Sequence, residues 1–205
     1  MKSWSFSKLK AYERCPHTQS FPYEWKPSGE AAQAGLDAHK QCEDWIVKGE
    51  VIPTFEKFDW TKLRAINPFT EVKIGVDENW KRTEYKEAWL KIIIDALYPD
   101  FNTLIDYKSG KQEYNEVSHI QQMQLYACVI NAIYAPDFVQ SELWYLNEGH
   151  IRKTIYTPKK CELLQVKFHD RALKMLKDET LLPKPSKSNC RFCPHQEVCT
   201  YTYED

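Results

Sequence analysis

The sequence predicts an α/β fold, and three observations carry the prediction. Residues 29–48 place Ala31, Ala34, Ala38, Cys42 and Trp45 at three- and four-residue steps, the signature of a helix with one apolar stripe. Residues 71–108 hold three apolar or alternating runs separated by turn-forming residues, which read as strands. Beyond them, helical periodicity over 118–134 and 158–178 brackets two further alternating runs, so helices and strands interleave along the chain.

The elements follow in order. Residues 5–14 form a short helix, capped by Ser5 or Ser7, with Phe6, Leu9 and Lys10 on its inner side; Cys15-Pro16 ends it because proline restricts the residue before it. The stretch 21–27 is aromatic and irregular. The helix over 29–48 follows, then a loop containing a short helix at 60–66. In the strand over 71–78, Val72, Ile74 and Val76 oppose Glu71, Lys73 and Gly75. Residues 85–97 become continuously apolar, as a central strand does, and Tyr98-Pro99-Asp100-Phe101-Asn102 turns the chain into a hairpin with 103–108. In the helix over 118–134, Ile120, Met123, Ala127, Ile130 and Tyr134 make the apolar stripe, with His119, Gln122 and Tyr126 on a neighbouring face. Strands over 138–147 and 150–157 meet at Glu148-Gly149. The closing helix over 158–178 presents Leu163, Val166, Ala172 or Leu173, and Leu176. From Leu181 the composition turns to Pro, Lys, Ser and Cys, a separate metal-stapled tail. The organisation expected is a single domain, 1–205, with a helical part at 1–66, a core at 67–180 and a cluster-binding tail at 181–205.

Composition narrows the function. With 205 residues, 42% hydrophobic and 28% charged, the chain can bury a core and has no disordered bias. A net charge of -1 excludes a bulk polycation, so nucleic acid would be engaged by a local basic patch or through metal ions. The opening Met1-Lys2-Ser3-Trp4-Ser5 carries no apolar signal segment, and the apolar run Ile92-Ile93-Ile94 is far below the ~20 residues of a membrane span. A soluble, cytoplasmic protein with no membrane partner is expected, whose seven cysteines are thiols or metal ligands.

The chemistry concentrates at Asp106-Tyr107-Lys108. Strand alternation puts Asp106 and Lys108 on one face, and Ser109-Gly110 ends the strand. Taken alone, this is an ion pair on a solvated edge, or a carboxylate that holds a hard metal beside an ammonium that steers water. Asp95 lies eleven residues earlier, across the turn. Paired strands would bring both carboxylates to one end of the sheet, and two carboxylates with a lysine suffice for metal-assisted phosphodiester hydrolysis.

The order Gly35-x-x-x-His39, Glu71, Asp95, Asp106-Tyr107-Lys108 and Gln122-x-x-x-Tyr126 resembles the RecB-like branch of the PD-(D/E)XK nucleases, which includes CRISPR-associated exonucleases, over nearly the whole chain. The resemblance implies a restriction-endonuclease-like core, a mixed sheet flanked by helices, and divalent-metal-dependent cleavage of DNA. It makes Asp95, Asp106, His39 and the backbone carbonyl of Tyr107 metal ligands. An imidazole in that set suits Mn²⁺ better than Mg²⁺. It gives Lys108 the attacking water, and Gln122 and Tyr126 the lining of the site; Glu71 becomes a supporting acid or stays a strand residue. Two positions depart from the family pattern: Ile92 stands where glycine is frequent, and Asp106 where many relatives have glutamate. Neither removes a ligand. Without the joint order, His39 would be a structural histidine and Gly35 a site of close helix packing.

Cys190-x-x-Cys193-x5-Cys199 packs three thiols into a loop and needs a fourth ligand. In iron–sulfur members of the same branch, a cysteine followed by proline near the N-terminus completes the set, a place taken here by Cys15-Pro16. The resemblance therefore implies a structural [4Fe–4S] cluster on Cys15, Cys190, Cys193 and Cys199; by spacing alone a Zn²⁺ site, Cys₄ or Cys₃His with His195, stands equally. Lys184, Lys187 and Arg191 lie beside it, available to phosphates. Cys42 and Cys128 read as core residues and Cys161 as incidental.

The expected function is a metal-dependent DNA exonuclease acting on single- or double-stranded ends, in end processing, recombination or spacer acquisition with a partner protein. A phage-encoded enzyme working in host cytoplasm fits the compact chain. The alternatives are a non-catalytic DNA-binding or assembly module of the same fold, and a flap or single-strand endonuclease.

Overall fold

The structure, a computed structural model, describes residues 3–22, 30–110, 112–191 and 193–203. Most of the aromatic stretch 21–27 and the predicted helix start at Gly29 lie outside them.

Helix α1, Phe6–Arg14, begins where Ser5 accepts a hydrogen bond from the Lys8 amide and buries Phe6, Leu9 and Tyr12. It stops at Cys15, whose extended backbone leads into a 3-10 turn at Pro16–Ser20. Helix α2, Glu30–Val47, buries Ala38, Cys42 and Ile46, whereas Ala34 is exposed. The stripe is thus narrower than expected and shifts towards Ile46. Helix α3, Trp60–Ile66, is capped by Asp59 and closes on Asn67 in the left-handed region, which asparagine tolerates.

Strand β1, Phe69–Val76, sits two residues earlier than its alternation suggested, because the Asp77 carboxylate accepts from the amides of Asn79 and Lys81 and forces a turn. A two-residue strand β2, Arg82–Thr83, pairs back onto β1 and has no signature in the sequence. Strand β3, Leu90–Leu97, is shorter than the predicted 85–97, since Glu84 to Glu87 form a turn. Strand β4, Thr103–Lys108, has its predicted bounds and closes the expected hairpin with β3. Helix α4, Gln112–Tyr134, starts six residues early. Its first amide is held by the Glu148 carboxylate at 3.1 Å, a cap supplied from a distant hairpin. Strands β5, Val139–Tyr145, and β6, His150–Tyr156, join at a turn where Gly149 takes φ +64°. Helix α5, Pro158–Lys177, is capped by Thr157, and a single turn α6, Lys187–Cys190, marks the tail.

The six strands form one mixed sheet in the order β2-β1-β3-β4-β5-β6, antiparallel except for the parallel pair β4–β5 that α4 connects. On one face α1, α4 and α5 cover Ile74, Val76, Ile92, Ile94, Leu104, Leu143 and Tyr145. On the other, α2 and α3 cover Ala96, Ile105, Tyr107 and Trp144. This is the expected α/β architecture of a restriction-endonuclease-like core. Helix α5 is rotated from its predicted stripe. It buries Cys161, Leu164, Phe168, Ala172 and Met175, while Leu163 and Val166 are 57% and 62% exposed. Cys161 is therefore a core residue rather than an incidental one; apolar side chains on both sides of α5 make its periodicity ambiguous. No helix among the described residues is long and apolar enough to cross a membrane.

Candidate active site

The site forms where β3 and β4 part. Their ladder holds two register pairs, Ala96↔Ile105 and Leu97↔Leu104, and stops before Asp95 and Asp106. Beyond that point the Tyr107 amide, which a continuous ladder would bond to a β3 carbonyl, donates instead to Asp95 Oδ2 at 2.7 Å. The opening between the strands lets side chains from both faces of the sheet approach one another.

On the α2 face, His39 Nδ1 lies 3.4 Å from the same Asp95 oxygen. Glu71 comes from β1, opposite Asp95, at the one position the β1–β3 ladder skips between Thr70↔Ala96 and Val72↔Ile94. Its φ of +49° is left-handed, a conformation that costs an L-residue roughly 1–2 kcal/mol. His39, Glu71 and Asp95 each offer a ligand atom, and these atoms lie within 4.8 Å of one another. Gly35, one helical turn before His39, lets α2 approach the end of β4: a Cβ there would stand 3.1 Å from Ser109 Oγ.

On the α4 face, Asp106 is almost wholly buried. Its Oδ1 accepts from Gln122 Nε2 at 3.0 Å, and Lys108 Nζ lies 2.6 Å from Oδ2. The Lys108 ammonium is the charge partner of Oδ2, and no described residue donates to that oxygen in regular hydrogen-bond geometry, an unusual state for a buried carboxylate oxygen. Gln122 also accepts from Lys108 Nζ at 3.1 Å and donates to the Tyr126 hydroxyl at 3.0 Å. One amide thus fixes the acid, the base and the phenol.

The electrostatics are those of crowded anions around few cations. Burial raises the Asp106 pKa; Lys108 works against the rise and Asp95 adds to it. Glu71 is raised by burial and by the charges of Asp95 and Glu43. For His39, burial disfavours the charged ring, but the hydrogen bond and charge of Asp95 outweigh it, so its pKa goes up. These shifts fit a site built for a divalent cation: a bound ion would relieve the carboxylate repulsion, displace the His39 proton and engage the open Asp106 oxygen. Sequence reasoning made Glu71 the least secure member of the set, yet it stands beside His39 and Asp95. It missed the Tyr107 amide altogether, since nothing in the local sequence announces where a ladder ends.

Cys15, Cys190, Cys193 and Cys199 line one pocket between the α1 end and the tail, with Pro183, Pro185 and Tyr201 around them. The Lys184 amide donates to Cys15 Sγ at 3.3 Å and the Tyr203 amide to Cys190 Sγ at 3.4 Å. The Tyr203 amide first, then hydrogen bonds from Ser186 and Thr202 and the charge of Arg14, lower the Cys190 pKa, the state a metal-binding thiol needs. Asn189 laces the segments together, donating to the carbonyls of Arg14 and Lys184. His195 stacks on Phe21 at 4.5 Å.

The signature of the PD-(D/E)XK nuclease superfamily matches residues 24–200. A solved structure described as the crystal structure of SSO0001 superposes with a TM-score of 0.54 at 16% identity, covering 100% of this chain and 88% of that one, a likeness of fold. No curated protein sequence matches.

Proposed function

Because the chain belongs to the PD-(D/E)XK nuclease superfamily, and so to metal-dependent nucleases that act on DNA, we propose that it is a RecB-like exonuclease of DNA ends carrying an iron–sulfur cluster. The observation that supports the nuclease reading is the meeting of two groups across the β3–β4 opening: His39, Glu71 and Asp95 on one side, Asp106, Lys108 and Gln122 on the other. Asp95, Asp106 and His39 would hold Mn²⁺ or Mg²⁺, with Glu71 and the Tyr107 carbonyl beside them. A bound ion supplies Lewis acidity towards the scissile phosphate and a more acidic water. The chain's own residues do the positioning. Asp106 and Gln122 hold the Lys108 ammonium at the mouth of the opening, where it can orient a nucleophile and face developing negative charge. Tyr126 fixes Gln122, and the Tyr107 amide fixes Asp95.

Cys15, Cys190, Cys193 and Cys199 line one pocket, and the branch resemblance makes them the ligands of a [4Fe–4S] cluster; four thiolates would equally complete a Zn²⁺ site. A role in end processing or recombination follows from the branch resemblance.

The test is cleavage of end-labelled single- and double-stranded linear DNA, and of covalently closed single-stranded circles, with Mn²⁺ and with Mg²⁺. Shortening of linear DNA with intact circles is the expected result. Cut circles would make it an endonuclease, and binding without any cleavage would make it a non-catalytic module. Anaerobic protein should be brown with about four irons per chain; stoichiometric zinc would remove the cluster and leave the nuclease.

A further inference from the structure

A polar groove between α1 and α4 ends at the candidate site, and its construction is not explained by the residues that hold metal or water. Its α1 wall carries Phe6, Ser7, Lys10, Ala11, Glu13 and Arg14, and its α4 wall Asn115, Ser118, His119 and Gln122. The α4 set follows i, i+3, i+4 and i+7, as do Ser7, Lys10, Ala11 and Arg14, so each helix turns a face to the groove. Those faces are largely polar, whereas Leu9 and Tyr12 of α1 and Met123 and Leu125 to Ile130 of α4 are buried in the core. Lys108 stands at one end. At the other, Arg14 borders the cysteine pocket, where its charge acts on Cys190.

The balance of charge favours an anion. Among the described residues Glu13 is the groove's one carboxylate, and Arg171 grips both of its oxygens at 2.7 and 2.9 Å. Lys10 is only loosely paired with Glu13, at 3.7 Å. Arg14 Nε is buried with no acceptor among the described residues, a donor left desolvated. The helical rise places Lys10 and Arg14 about 6 Å apart along α1. The described residues of the wall opposite, Asn115, Ser118 and His119, are neutral; burial and the charge of Lys108 push the His119 pKa down to about 4. A cationic wall facing a neutral hydrogen-bonding wall suits one polynucleotide backbone with its bases turned to the other side.

We infer that this groove is the track for a single DNA strand, with Lys10 and Arg14 holding backbone phosphates on the way to Lys108. The inference rests on the nuclease reading above and adds to it the form of the substrate and the residues that grip it. It also gives the cysteine tail a task, because the tail's Asn189 holds the Arg14 carbonyl and so sets where that side chain starts.

Binding without catalysis separates the two ideas. Fluorescence anisotropy with a labelled oligo-dT 20-mer and a matched 20-bp duplex, in EDTA, reads the track whether or not the protein cleaves anything. For Lys10→Ala plus Arg14→Ala we expect ~10-fold weaker single-strand binding. The slope of log affinity against log salt should flatten by ~1.4, about 0.7 for each lost phosphate contact. Arg14→Lys should recover most of the affinity, and Lys159→Ala on the α5 surface should change nothing. Lys10→Ala, at a partly exposed position, gives the same sign alone if the double variant folds poorly. Unchanged single-strand affinity with an unchanged salt slope would overturn the inference, as would a wild type that binds the duplex more tightly than the single strand.

Discussion

Replacing Gln122 by Ala tests the core of the proposed mechanism. The amide makes three hydrogen bonds: to Asp106 Oδ1, from Lys108 Nζ, and to the Tyr126 hydroxyl. Its loss leaves Asp106 Oδ1 without a donor in a nearly dry position, at about 1–3 kcal/mol for such a group. The groove beside Gln122 admits water to the vacated space, so the lower half of that range is expected. Lys108 retains Asp106 as a charge partner but loses the second anchor that fixes its direction. Misplacement of a catalytic group by about 1 Å costs on the order of 100-fold in rate. The variant should therefore unfold ~1–2 kcal/mol more easily in urea, and cleave ~100-fold more slowly in single-turnover assays with saturating Mn²⁺, with DNA affinity within a few-fold of wild type. Loss of a donor to ionised Asp106 also raises its pKa further, so the acid limb of the pH–rate profile should move to higher pH. A cleavage rate within threefold of wild type would refute the positioning role, whatever the stability.

Other outcomes follow from the same geometry. Gly35→Ala should raise the helix propensity of α2 by up to about 1 kcal/mol, but its methyl would press on the Ser109 hydroxyl 3.1 Å away, shift His39 and slow cleavage a few-fold; adding Ser109→Ala should restore the rate. Calorimetric Mn²⁺ affinity should rise with pH above 6.5, since the raised His39 pKa means the ring must lose its proton to ligate, and His39→Gln should bind more weakly with a flatter profile. The same shift makes folding stability from protonated His39 complete below pH 6.5 and lost as pH climbs through its folded value, so metal-free protein should melt at lower temperature at pH 8 than at pH 6; Asp106 and Glu71, whose pKa values are also raised, act in the same direction. Cys15→Ser should release the tail and lower stability by up to ~5 kcal/mol, the loop-closure value for so long a span, read by thermal melting under anaerobic conditions.

The strands and helices that carry the site were legible because each has a local cause: alternation in β4, the helical step from Gly35 to His39, and the seven-residue face from His119 to Tyr126. What escaped was set by distant partners. The first turn of α4 depends on Glu148, a cap no window around Gln112 contains. The α5 stripe was misread because Leu163 and Val166 are apolar and exposed, so hydrophobicity alone does not mark the buried side. The place of Asp95 and Glu71 was the hardest to foresee. It depends on a ladder position skipped between β1 and β3 and on a strand pair that ends early, and both are properties of pairing, not of either strand's residues.

The brief β3–β4 pairing has a mechanical side. The sheet is two three-stranded blades, β2-β1-β3 and β4-β5-β6, sewn together by two register pairs and the bond from the Tyr107 amide to Asp95. Asp95 and Asp106, one carboxylate on each blade, stand at the free end of this seam. An ion that gathered both carboxylates would act as a clasp, and amide protons of Tyr107 and its neighbours would then exchange more slowly with solvent deuterium when Mn²⁺ is present. The stiffness of the molecule across its middle would in that way be set by the same ion that its chemistry requires.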